Sequence, residues 1–259
     1  MRYNEEDNDA SVVVCDTATG HLTVGPFAPA ELRNRPELVA AGDRLYALDR
    51  GWDNFKVLAP RGACGWAWST LRGPPFDTGS ATACCHAAHP DGRTLFFSAR
   101  GGGTFSFDAE AWRWAWHGDW MLPFEGQAHY DAEVDAWVGL CRGAASPGRV
   151  CSCDVVPPAG EGDEDPSTAE RPPPSWKLRR RDSVDIELAN VGNGRFCLVE
   201  YRNRRGVAGD MLDDGCLLVA TTFRLRYDKD GALRAAERRA RCYAVHKKSN
   251  TFGRRAFGV

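Results

Sequence analysis

The residues of this chain that could hold a metal ion are gathered in two places. Cys84, Cys85, His86 and His89 form one group, and Cys151 and Cys153 flank Ser152 further along. Structural zinc sites take paired ligands from turns, because a tight loop lets two side chains converge on one ion. In a strand, Cys84 and His86 would share one face and Cys85 the other, and Cys151-Ser152-Cys153 reads as the alternation of a buried strand. These are packing spacings rather than chelating ones, so no metal and no other cofactor is expected. A nucleophile would need Ser or Cys with His beside it in space. His117, His129 and Ser98 are the candidates, but they are scattered, and the chain contains no G-x-S-x-G and no C-x-x-C. Gly101-Gly102-Gly103 could cradle a phosphate only if a helix followed, and the sequence that follows, TFSFD, is that of a strand. No catalytic residue is assigned and no enzymatic activity is expected.

Aromatic and basic residues remain as candidates for binding. Trp112, Trp114 and Trp116 alternate, with Trp120 close behind, which would put three indoles on one face of one strand. Such a row packs against a neighbouring sheet or, alternatively, forms a platform on which a sugar or base could stack. Ser175 to Val259 holds 19 of the chain's 33 Lys and Arg but only 10 of its 35 Asp and Glu. Arg179, Arg180, Arg181, Arg204 and Arg205 lead this basic half, followed by Arg238, Arg239 and Arg241. They could be a solvated outer strand, or they could meet an acidic protein, nucleic acid or an import receptor. Basic and aromatic residues do not interleave as they do in single-strand binders, so nucleic acid is not the expected partner.

The elements that must position these residues are strands. From Cys84 to Trp120 four short apolar runs are separated by Pro90-Asp91-Gly92, by the three glycines and by Ala109-Glu110-Ala111. Four such runs in a row make one antiparallel sheet of the size of a propeller blade. The plan recurs, and the first turns of the copies fall at Gly42, Asp91, Glu133 and Asn193, at intervals of 49, 42 and 60. Periods of about 40 to 50 residues are those of propeller repeats. The long interval holds the Pro-rich acidic stretch 157–174, expected as a disordered insert. The expectation is an all-β chain of about 16 to 18 strands in four-stranded sheets. Its parts would be a disordered start (1–10), a half blade (11–26), blades at 37–71, 84–118, 127–181 and 185–245, a propeller ending at 246, and a basic tail (247–259). An irregular β-sandwich is the structural alternative.

Composition agrees with a turn-dense β protein: 27 Gly, 15 Pro and 9 Trp supply turns and flat anchors. Most of the 10 cysteines lie inside apolar runs, where a reduced thiol packs as a small hydrophobe. The first ten residues are polar and acidic and no 18 apolar residues run together, so a soluble protein of the cytoplasm or nucleus is expected.

The Leu-Tyr-x-Leu-Asp and Phe-x-Phe-Asp strands with a closing Trp resemble the kelch blade. More narrowly, Gly103 to Cys141 and the preceding VVVCDTATGHLTVGP resemble a grass-abundant domain-of-unknown-function family of kelch-like β-propeller proteins. The resemblance runs from Ser11 to Tyr243, is dense from Leu45 to Asp154, and lacks the double glycine of the standard kelch motif. It implies a kelch-like propeller and imports no activity. Family members begin with further strands, so it also implies about four and a half blades of a larger ring of about six. An unsealed edge of such a ring would favour self-association. Copper-radical oxidases are kelch-type propellers too, but they need Tyr and His ligands around a Cys-modified tyrosine. His129-Tyr130 is the only such adjacency, and its side chains would point to opposite faces. A non-enzymatic module that binds an unknown protein partner is therefore expected; the alternative is a ligand-binding or hydrolytic propeller with its site in the central funnel.

Overall fold

A computed structural model describes residues 11–15, 22–33, 36–48, 55–61, 65–75, 82–142, 149–159, 174–178, 186–203 and 215–246. The N-terminal segment 1–10, the tail 247–259 and all but the ends of the 157–174 insert lie outside the described residues. Among the described residues, eighteen strands and one short 3-10 turn (Ala30–Arg33) make up the regular structure, and every described strand pair is antiparallel. The protein is all-β, as its alternating runs and turn residues require. Among the described residues no helix is long and apolar enough to cross a membrane.

The chain divides into two compact units. In the first, β1 (Ser11–Cys15) and β2 (Leu22–Phe27) form a two-stranded sheet. β3 (Glu37–Ala41), β4 (Arg44–Leu48), β5 (Phe55–Pro60) and β6 (Trp66–Leu71) follow one another across a four-stranded sheet. β7 (Thr82–Ala88), β8 (Thr94–Arg100), β9 (Gly103–Asp108) and β10 (Arg113–Gly118) pair in the same up-and-down order. In the second unit β11 (Phe124–Asp131), β12 (Ala136–Cys141), β13 (Val150–Asp154) and β14 (Trp176–Leu178) repeat it. So do β15 (Ile186–Asn190), β16 (Arg195–Asn203), β17 (Gly215–Tyr227) and β18 (Leu233–His246). Four strands meandering in sequence order are the blade of a propeller.

Each unit has its own core. In the first, Val39, Tyr46, Leu48, Phe55 and Val57 meet Leu95, Phe97, Ala99 and Phe107. Alternation explains the choice: Leu95, Phe97 and Ala99 occupy every second position of β8, so all three face the β3–β6 sheet. Phe55 and Phe107 meet edge to face, 4.9 Å between centroids, a geometry that adds to plain area burial. In the second unit Val134, Ala136, Val138 and Val150 pack on Leu188, Phe196, Leu198, Phe223 and Leu225.

Strand-end carboxylates close the turns. Asp108 Oδ1 accepts from the Glu110 and Ala111 amides at 2.8 and 3.0 Å. Asp131 does so from Glu133 and Val134, Asp228 from Asp230 and Ala232, and Asp91 from Arg93 and Thr94. A short side-chain acceptor two to four residues before an amide left over by the ladder forms an Asx-type turn, which is why Asp recurs at strand ends and in the turns between strands. The glycine run after β8 is likewise a turn. Gly103 has φ +83°, and a Cβ there would lie 2.2 Å from the Gly118 carbonyl oxygen, so no other residue fits.

Two expectations need correcting. Trp112 is not in a strand: β10 begins at Arg113, and Trp112 sits before it at φ +57°. The turn closed by Asp108 uses up Trp112, whose amide donates to the Asp108 carbonyl at 2.8 Å, so only Trp114 and Trp116 share a strand. β11 starts at Phe124 rather than Gln127, because a register irregularity between Glu125 and His129 lets Phe124 reach Cys141.

Candidate interaction surfaces

The groups with chemical potential in the first unit face inward. Ser98 on β8 and Thr104 on β9 are cross-strand partners with hydroxyls 2.8 Å apart, and Thr104 donates on to the Trp120 carbonyl at 2.7 Å. Beside them His117 Nε2 lies 2.9 Å from Ser106 Oγ, with the Phe96 ring tilted against the imidazole, 4.9 Å between centroids. This is the distance of a nucleophile and its base. Ser106 is only 3% exposed and His117 0%, so no substrate atom can reach the pair. The two buried pairs are each hydrogen-bonded, one linking β8 to β9 and the other β9 to β10. Ser106 was missed in the sequence because its partner is contributed by strand pairing rather than by spacing.

The cysteines and the other histidines are also packed. Cys85, Cys141, Cys151 and Cys153 are buried free thiols. Burial pushes the Cys141 thiol above its ordinary value, and the Cys197 thiol likewise, which disfavours the reactive thiolate. His86 lies on the other side of β7 from Cys85: its cross-strand partner is the core residue Phe97, and its Nδ1 is 3.8 Å from a Glu37 oxygen. His89 instead accepts from the Asp91 amide at 3.1 Å. The side chain of Cys84 lies outside what is described. Among the described residues no three His, Cys, Asp or Glu side chains converge as metal ligands would. His129 and Tyr130 separate: burial lowers the His129 pKa to about 4, whereas the Tyr130 hydroxyl donates to Asp135 at 2.7 Å.

The tryptophans part in the same way. Trp114 lies on the first core against Phe55, Phe97 and Phe107, and its indole N–H donates to the Arg72 carbonyl at 3.0 Å. Trp116 is half-buried opposite Phe105. Trp112 is 45% exposed. Phe107 supports its ring edge-on, and the Arg44 guanidinium lies over it, 5.6 Å from the centroid. Arg44 is itself held by the Ala109 carbonyl at 3.2 Å. Two neighbours thus fix a large aromatic side chain that remains half open to solvent.

Arg179, Arg180, Arg181, Arg204 and Arg205 lie outside the described residues. Within them, the basic residues of the second unit collect on the last sheet. Glu237 stands at φ +50°, where β18 supplies two residues opposite Phe223. From this bulge it meets Arg195 at 2.9 Å, Arg224 at 3.4 Å and Arg226 at 3.7 Å, while Glu133 binds Arg224 from the β11–β12 turn. Arg234 donates to Asp228 at 2.8 Å and holds that carboxyl below its usual range.

The profile of the family described as "Protein of unknown function (DUF1668)" matches residues 6–243. The chain belongs to this family. No curated protein matches this DUF1668 chain. Among solved structures it is similar to the hydrazine synthase of Kuenenia stuttgartiensis, at 12% identity and a TM-score of 0.44, over 87% of this chain and 59% of that one. It is also similar to the WD40 domain of SCAP from fission yeast, at 6% identity and 0.41, over 92% and 58%. The β-propeller domain of Cps50 (Swd1) from Myceliophteria thermophila gives 11% and 0.39, over 89% and 80%. The DUF1668 chain spans less than two thirds of the first two structures.

Proposed function

We propose that this DUF1668 chain is a non-enzymatic, kelch-like propeller module that recognises a protein partner, with Trp112 as an anchor. One observation carries the reading: a half-exposed tryptophan is held in the left-handed region between Phe107 and Arg44. An L-residue there costs about 1–2 kcal/mol, and a bulky one is a rare occupant. Strain of this kind persists where a side chain is needed outside the fold, and Trp and Arg are the types that dominate binding surfaces. The opposite arrangement at Ser106 and His117, sealed in the sheet, supports a non-enzymatic role. Self-association through the β1–β2 sheet, where Val24 and Phe27 are 75% and 61% exposed, belongs to the same proposal, and sedimentation over a dilution series tests it.

Affinity capture with wild-type protein and Trp112→Gly in parallel tests the main reading. Glycine removes the ring and accepts the backbone, so the variant should fold and lose the captured protein. A variant that folds and captures the same protein as well as wild type would overturn the role of Trp112.

A further inference from the structure

The last sheet carries a second surface of different chemistry. Cross-strand partners share a face, and alternate residues of one strand share it too. Arg195 pairs with Arg224, Arg226 with Arg234, Thr222 with Arg239 and Ala220 with Arg241. Six arginines therefore lie on one face of β16, β17 and β18, while the other face supplies Phe196, Leu198, Phe223 and Leu225 to the core. Four of the six have acidic neighbours, in Glu133, Glu237 and Asp228. Arg239 and Arg241 make no ion pair among the described residues, and residues 237–243 are all exposed. They sit on β18, the edge of its sheet, whose outward N–H and C=O groups offer a template for another strand. Beyond the bulge at Glu237 the register from Arg239 to His246 is regular, so the template is straight there.

We propose that Arg239–Tyr243 takes up an extended acidic segment of a partner protein by strand addition. The inference rests on the reading of the protein as a recognition module, but on another sheet than the one that follows Trp112. Acidic residues at every second position of the added strand fall opposite Arg239 and Arg241, and an apolar residue next in the series falls against Tyr243, which is 47% exposed. Opposite the two arginines on β17 stand Thr222 and Ala220, and among the described side chains of this face Tyr243 is the single aromatic one, too few to stack successive bases, so an acidic peptide fits better than a nucleic acid.

The probes are two labelled peptides of about ten residues and identical composition, one with Glu at every second position between Val and Thr, the other with the Glu in one block. Fluorescence anisotropy should show the alternating peptide binding at least roughly tenfold more tightly. The double variant Arg239→Glu, Arg241→Glu should abolish that binding, and Trp112→Gly should leave it intact. Methylating the backbone amides on one edge of the alternating peptide, with wild-type protein, should weaken it about as much, since side-chain attraction alone would not notice the change. Equal binding of both peptides, equal binding of an oligothymidylate of similar charge, or no binding would each overturn the proposal. Loss of peptide binding with Trp112-dependent capture retained would sink this inference alone, and the converse would sink only the anchor.

Discussion

The sheets β7–β10 and β15–β18 have one topology and opposite fates. In both, four antiparallel strands follow in sequence order and strand-end Asp or Asn side chains close turns: Asp91 and Asp108 in one, Asn190 and Asp228 in the other. What differs is the second face. On β8, Phe96 and Ser98 alternate with Leu95 and Phe97, and the strand is buried from Thr94 to Ala99. On β17, Arg224 and Arg226 alternate with Phe223 and Leu225, and only the phenylalanine and leucine side is buried. Topology and turns are thus indifferent to role. The residue type at every second position decides whether a sheet is buried on both faces or leaves one face to solvent.

The largest expected effect lies in the first of these sheets. Phe97→Ala or Trp114→Ala should each cost about 3–5 kcal/mol, because the cavity left among Phe55 and Phe107 cannot collapse. Val199→Ala, half-buried on the arginine face of β16, should cost about 1 kcal/mol. Urea unfolding measures both, and similar losses would erase the contrast between the sheets.

A pH dependence belongs to the second unit. His129 has a pKa of about 4 in the folded chain against about 6.5 unfolded, because burial penalises the imidazolium. Between those values the unfolded chain binds the extra proton, so stability is full above about pH 6.5 and falls as pH drops toward 4, by at most about 3 kcal/mol. His129→Gln should flatten the profile of stability against pH in this window. An unchanged profile would show that other groups set it.

The sequence was most legible where one residue fixes local geometry. Gly-Asp, Asp-Gly and Asn-Gly between apolar runs located the hairpins, and strand alternation located the buried phenylalanines. Contacts made by pairing were hidden: nothing in the spacing of Ser106 and His117 announces a hydrogen bond, since it depends on β9 lying beside β10. Trp112 misled because Trp-x-Trp-x-Trp is the pattern of a strand face, whereas Asp108 had already committed Glu110 and Ala111 to a turn. The face of Arg195, Arg224 and Arg239 was hidden for a third reason. Residues 15 to 44 apart in sequence share it only through the register of a sheet.

That misreading sharpens into a test within one motif. Trp112 and Trp114 differ by two positions, yet Trp112→Gly should leave stability within about 1 kcal/mol of wild type, since release of the left-handed strain offsets the lost contact with Phe107. A loss approaching that of Trp114→Ala would make Trp112 a packing residue.

The smallest expected effect concerns the free arginines. Arg239→Glu and Arg241→Glu should each change stability by no more than about 0.5 kcal/mol, because both side chains are exposed and neither has an acidic neighbour among the described residues. Arg224→Ala on the same face is the control. It removes the guanidinium that bridges Glu133 and Glu237 and leaves those carboxylates facing each other with less positive charge between them, at a cost of about 1 kcal/mol. High salt should shrink the Arg224 effect and leave the other two near zero, since screening weakens exposed ion pairs and has nothing to act on at Arg239. If Arg239→Glu instead destabilised the chain as much as Arg224→Ala, Arg239 would be holding the sheet together, and its charge would not be available to an acidic strand on the edge of β18.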